Sequence, residues 1–161
     1  MQSPTNTLPI IDLYTDGGSH PNPGVGGLGF ILCHKGKCKE YAKGYLMTTN
    51  NRMELLAVIH GLSQLKTKAQ VTIHSDSKYV IDGIQKGWAK KWRAKGWMRN
   101  PKEKAINADL WKVLLELVDR HKVDWRWVKG HSGHPQNERC DGLATWAMKQ
   151  KNLVEDSGYK G

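Results

Sequence analysis

Asp16, Glu54, Asp76 and Asp141 are the residues of this chain whose type and setting could do chemistry together. Asp16 ends a predicted strand at Asp16-Gly17-Gly18, and Asp76 ends another at Ser75-Asp76-Ser77. If those strands are parallel neighbours, both carboxylates emerge at one carboxyl edge, where open α/β sheets place their ligand sites. Glu54 falls in the first turn of a predicted helix, and Asp141 follows Cys140 at the border of the last helix's apolar stripe. Four such groups, once gathered, cannot all ionise cheaply without a cation. A hard divalent ion held through oxygen meets that need, with Mg²⁺ the usual choice beside phosphate and Mn²⁺ its substitute. Taken singly, each has a plainer reading as a turn, an N-cap, part of a capping box (Asn51-Arg52-Met53-Glu54) or a solvated helix residue. Spacing alone does not show that they converge.

His131 lies in a glycine-marked loop, Lys129 to Pro135, and an imidazole there suits proton movement, given an unperturbed pKa near ~6.5. An exposed loop histidine fits as well. His131, His134 and Cys140 lack the second cysteine pair of a structural zinc site. Gly24-Val25-Gly26-Gly27-Leu28-Gly29 has the spacing of a dinucleotide-binding loop, but it precedes a strand and not a helix, which excludes that use. Cys33 and Cys38 flank a Lys35-Gly36 turn and are expected to face each other as a reduced pair. With three cysteines in no framework spacing, the expected setting is reducing and cytoplasmic.

The chain has 161 residues and a formal charge of +10. Eight basic residues and one acid fall between Lys86 and Lys104, so that stretch holds +7 of the total. Concentrated positive charge points to an anionic partner such as a nucleic acid. Trp88 and Trp92 share a helical face there, while Lys90, Lys91 and Arg93 occupy others and Lys95 follows. Such lysines can track a phosphate backbone. A composition of 39% hydrophobic and 25% charged residues excludes a disordered chain, and no apolar run is long enough to span a bilayer. No signal peptide is expected from the polar start, and the expected organisation is one domain over 1–161, with 1–7 and 151–161 as flexible tails.

The elements that must position these residues follow from periodicity. Strands are predicted at Ile10–Thr15, around Phe30–Cys33 and over Lys37–Leu46, the last two joined by a hairpin. A helix over Asn51–Leu65 buries Leu55, Val58, Ile59, Leu62 and Leu65. A strand at Val71–His74, a short helix at Lys78–Ile84 and the basic helical segment come next. A helix at Asn107–His121 buries Leu110, Leu114, Leu117 and Val118, and a strand at Val123–Val128 leads to a final helix with Cys140, Leu143, Ala144 and Ala147 inward. Three hairpin strands and then alternating helices and strands make an α/β mixed sheet flanked by helices.

Five ordered blocks resemble bacterial type 1 ribonuclease H. They are Tyr14-Thr15-Asp16-Gly17, Thr49 to Leu55, Ser75-Asp76-Ser77, Trp127 to His134 and Asn137 to Asp141, within a match running from about Leu8 to Tyr159. The resemblance implies a five-stranded mixed sheet and hydrolysis of the RNA strand of RNA/DNA hybrids by two metal ions, leaving 5′-phosphate and 3′-hydroxyl ends. It implies that Asp16, Glu54, Asp76 and Asp141 bind the metal and that His131 assists proton movement or product release. Ser19, Asn22, Asn50, Asn51 and Lys78 would contact the hybrid near its minor groove. The segment from about Trp88 to Trp97, with Lys90, Lys91, Trp92 and Lys95, would hold the DNA strand.

Two positions depart from the family pattern: Ser19 stands where some relatives carry Cys, and Lys78 where Gln is familiar. The expected partner is the hybrid alone, with the chain a monomer needing no protein partner and no membrane. Two rivals remain: a non-catalytic hybrid-binding module, and a related transferase that cuts or joins DNA.

Overall fold

The computed structural model describes residues 7–129 and 133–160. The chain begins with three antiparallel strands, β1 (Ile10–His20), β2 (Gly24–His34) and β3 (Lys37–Thr48). It continues through α1 (Asn50–Ser63), β4 (Gln70–Ser75), α2 (Lys78–Gln85), α3 (Trp88–Ala94), α4 (Ala108–Asp119), β5 (Lys122–Trp127) and α5 (Pro135–Met148). The sheet order is β3-β2-β1-β4-β5, with β4 parallel to both β1 and β5. This is the mixed five-stranded sheet that the order of elements predicts.

One face of the sheet carries α1 and α4, and their stripes build the core: Leu55, Val58, Leu62, Trp111, Leu114 and Leu115 pack with Leu13, Phe30 and Ile73. The predicted stripe of α4 omits the fully buried Trp111 and includes Val118, which is only partly buried. The other face is covered by α5 through Cys140, Ala144 and Ala147, while Leu143 stays half-buried. Small residues on α5 meet glycines on β2. A side chain at Gly27 would run into the Ala144 carbonyl, and one at Gly29 would come 2.6 Å from the Cys140 carbonyl oxygen. The glycine-rich stretch therefore serves close packing of a helix on a strand.

Three local expectations are corrected. Asp16-Gly17-Gly18 is not a turn, because Asp16 pairs with Gly29 and Gly18 with Gly27, and β1 runs on to His20. Glycine reads locally as a breaker, but here Gly17 makes room for the Met53 backbone of α1. Glu54 closes no capping box. The N-cap is Thr49, whose hydroxyl accepts from the Arg52 N–H at 3.2 Å, leaving the Glu54 carboxylate free of capping. Cys33 and Cys38 face each other in register as expected, but they are joined in a disulfide across the Lys35-Gly36 turn.

The polar tail is tied to the body of the fold at two points. Val154 bridges to Tyr45, with Leu46 N–H donating to the Val154 carbonyl at 2.8 Å. Asp156 is buried and accepts from Arg52 Nε at 2.7 Å and from the Thr48 hydroxyl at 2.7 Å. The cause is Arg52, a 3% exposed guanidinium that requires counter-charge, which Asp109 and Asp156 supply. At the other end, residues 1–6 lie outside the described residues. No helix among the described residues is long and apolar enough to cross a membrane.

Candidate active site

Register brings the first two carboxylates together. The β1–β4 ladder ends at Tyr14 opposite His74, so Asp16 and Asp76 each stand two residues beyond the same rung. Both lie at the carboxyl end of the parallel pair, as required of a sheet-edge site.

Glu54 arrives from the opposite face, and Gly17 admits it. A Cβ at Gly17 would sit 2.6 Å from the carbonyl carbon and oxygen of Met53. Only a bare backbone there lets the first turns of α1 press against β1 and lean Glu54 over the edge toward Asp16. Ligand oxygens of Asp16, Glu54 and Asp76 then all fall within 4.8 Å of one another. Asp141 comes across from α5, close enough to Asp16 to act on its titration.

The electrostatics are those of crowded, poorly solvated acids. Asp16 is pushed up to about 8, by burial first and then by the charges of Asp76 and Asp141, against the Gly17 N–H that it accepts at 2.9 Å. Glu54 is held well above the usual carboxylate range by burial, then by Asp16 and Asp76. Its buried Oε1 has no hydrogen-bond partner among the described residues. An orphaned buried oxygen beside two further carboxylates fits a hard, oxygen-seeking divalent cation. The residues present are thus a suitable donor set for Mg²⁺ or Mn²⁺.

A cavity of about 750 Å³ opens on these four acids and runs past Ser19, Asn50 and Asn51. The Ser19 N–H donates to Asn50 Oδ1 at 2.7 Å, the Ser19 hydroxyl donates to Asn22 Oδ1 at 3.1 Å, and the Asn50 N–H also donates to Asn22 Oδ1 at 3.1 Å. This lattice ties the β1–β2 turn to the start of α1 and sets a polar rim beside the acids.

Other predicted residues lie apart. Lys78 is exposed at the start of α2, outside the lining of the cavity. On α3, Lys90 and Lys91 are exposed and Trp88 is 39% exposed, with Lys95 exposed just beyond. Trp92 turns inward, meeting the Trp111 ring edge-on at 6.3 Å, and so anchors the helix on the core. His131 lies outside the described residues.

Sequence reasoning missed Thr145, Met148 and Lys149, which continue the cavity wall along α5. Their signal was available: Thr145 and Lys149 follow Asp141 at i+4 and i+8, on one helical face. It also missed the Trp127 indole, which donates to the Asp76 carbonyl at 3.3 Å.

Comparison with known proteins adds to this geometry. The RNase H family model matches residues 9–149. The chain is 57% identical over 157 residues to a Ribonuclease H of Desulforamulus reducens, covering 97% of this chain and 99% of that protein. It is 48% identical over 150 residues to Ribonuclease HI of Synechocystis sp., covering 92% and 94% respectively. Among solved structures it is similar to LC9-RNase H1, a type 1 RNase H with the type 2 active-site motif. That match has 33% identity and a TM-score of 0.76, over 94% of this chain and 79% of that one.

Proposed function

The chain belongs to the RNase H family, and from that premise we propose that it is an endonuclease hydrolysing the RNA strand of RNA/DNA hybrids with the help of divalent metal. The observation that carries the reading is the convergence of Asp16, Glu54 and Asp76 within 4.8 Å, with a buried Glu54 oxygen left unpaired. Asp16, Glu54, Asp76 and Asp141 would hold two Mg²⁺ ions, or Mn²⁺ in their place. Metal held there would supply an activated water and charge stabilisation for the leaving 3′-oxygen of an in-line displacement, which would leave 5′-phosphate and 3′-hydroxyl ends.

The chain's own residues do the rest. The four carboxylates gather negative charge that a bound cation would neutralise, and that cation would in turn attract the scissile phosphate to the same point. Ser19, Asn22, Asn50 and Asn51 offer short polar groups next to that point, suited to the 2′-hydroxyls of a wide minor groove. His131 would carry protons or ease product release. The lysines of α3 and its flank would hold the DNA strand by its phosphates, which adds affinity without reading bases. In this reading the protein works as a monomer.

The test offers labelled hybrid, RNA duplex and DNA duplex side by side with Mg²⁺. Cleavage confined to the RNA of the hybrid is expected, with loss of cutting but retained hybrid binding in Asp16→Asn and Asp76→Asn. Full activity in either variant would overturn the assignment, and cutting of DNA duplex would favour a transferase.

A further inference from the structure

Trp127 is the last residue of β5, in register with Ser75, and it remains 49% exposed. Trp125, on the same face two residues earlier, packs against the core. Burial therefore accounts for Trp125 and not for Trp127, whose side-chain polar contacts among the described residues, a hydrogen bond and a cation–ring contact, both reach the carboxylate edge. Its indole N–H donates to the Asp76 carbonyl at 3.3 Å, and the Lys78 ammonium sits 4.9 Å from the centre of its ring.

The segment it touches is the short link between β4 and α2. Ser77 N–H donates to the Ser75 hydroxyl at 3.0 Å, and Val128 N–H donates to the Ser75 carbonyl at 2.8 Å. Ser77 in turn caps α2 through the Val80 N–H. These bonds hold Ser75 and Ser77, while the peptide after Asp76 is gripped by Trp127.

We propose that Trp127 is a positioning residue: its N–H fixes the main chain that aims the Asp76 carboxylate, and its ring holds Lys78 ready to meet a phosphate of the bound hybrid. This deepens the nuclease reading and rests on it. A cation over a ring is held by its charge, so its N–H donors stay available to a phosphate oxygen. Glutamine at position 78 would have no such hold on the ring, which gives the departure noted in the sequence a use.

The two halves separate by mutation. Trp127→Phe keeps a ring and removes the N–H, Lys78→Gln removes the cation, and Trp127→Leu removes both interactions. Calorimetry of Mg²⁺ binding to the substrate-free chain reads the first half, and the salt dependence of hybrid affinity reads the second. Trp127→Phe should weaken Mg²⁺ binding about five-fold, the worth of one hydrogen bond, and lower kcat more than it changes KM, with the salt slope kept. Lys78→Gln should leave Mg²⁺ binding intact and flatten the slope by roughly 0.7–0.9, one phosphate contact. Trp127→Leu should show both losses.

Wild-type Mg²⁺ affinity in Trp127→Phe, or an unchanged slope in Lys78→Gln, overturns the proposal while leaving the nuclease intact. A wild-type chain that binds neither Mg²⁺ nor hybrid would instead sink the nuclease reading, and this inference with it.

Discussion

Replacing Asp16 with Asn should stabilise the metal-free protein at neutral pH. The carboxylate oxygens of Asp16, Glu54 and Asp76 lie within 4.8 Å of one another. At an effective dielectric constant of about 20, two unit charges that far apart repel by ~3 kcal/mol. The fold answers by retaining protons, and Asp16 is pushed up from 3.8 to about 8. An acid whose folded pKa lies above its unfolded value holds a proton that the unfolded chain has released. Stability therefore falls as pH climbs from about 4 to about 8, and the penalty is absent below that window and complete above it. Asn is neutral, and its Oδ1 can still accept the Gly17 N–H that Asp16 accepts at 2.9 Å.

The expected gain at pH 7.5 is about 1–3 kcal/mol after neighbouring side chains relax, or roughly 3–10 °C in Tm for a chain of this size. Thermal and urea unfolding in EDTA at pH 7.5 and 4.5 read it directly, and the gap should close at the lower pH. Saturating Mg²⁺ should reverse the order, because the wild type gains binding free energy that the variant has lost a ligand for. A variant no more stable than wild type in EDTA at pH 7.5, or a gap of the same size at pH 4.5, would refute the reasoning.

Three further outcomes are expected. Gly17→Ala places a Cβ 2.6 Å from the Met53 carbonyl, so α1 must shift and carry Glu54 with it; hybrid cleavage should fall at least ~10-fold, with ~1–3 kcal/mol of stability lost in urea melts. Asp156→Ala leaves the 3% exposed Arg52 without one of its two carboxylates and should cost about 3 kcal/mol in equilibrium unfolding, whereas a loss under ~1 would mean the tail is not clamped. Neutralising Lys90, Lys91 and Lys95 should raise KM and flatten its salt slope by roughly 2–3, and an unchanged slope would remove the α3 region as the docking surface.

Where a feature depends on neighbours in the chain, the residues alone were enough. The i, i+3, i+4 spacing of Leu55, Val58, Ile59 and Leu62 specified the buried face of α1. Alternating strands and helices after the hairpin implied a parallel part of the sheet, but Asp16 and Asp76 share an edge only because β4 pairs with β1, which the register decides. Local chemistry misled where a residue serves something distant. Asp16-Gly17-Gly18 reads as a turn because glycine breaks strands, yet Gly17 is small for the sake of Met53 and Gly29 for the sake of Cys140. The tail read as loose because nothing near Asp156 in sequence announces Arg52 as its partner.

Composition and spacing determined the layers, the basic stretch and the list of acids. Tertiary structure alone decided that those acids meet, that Glu54 is left with an unpaired oxygen, and that Trp127 grips Asp76. The reason is range. Periodicity and turn chemistry act over a few residues, whereas the charge cluster depends on strand register and on how closely α1 and α5 can approach the sheet, which the whole packed core sets at once.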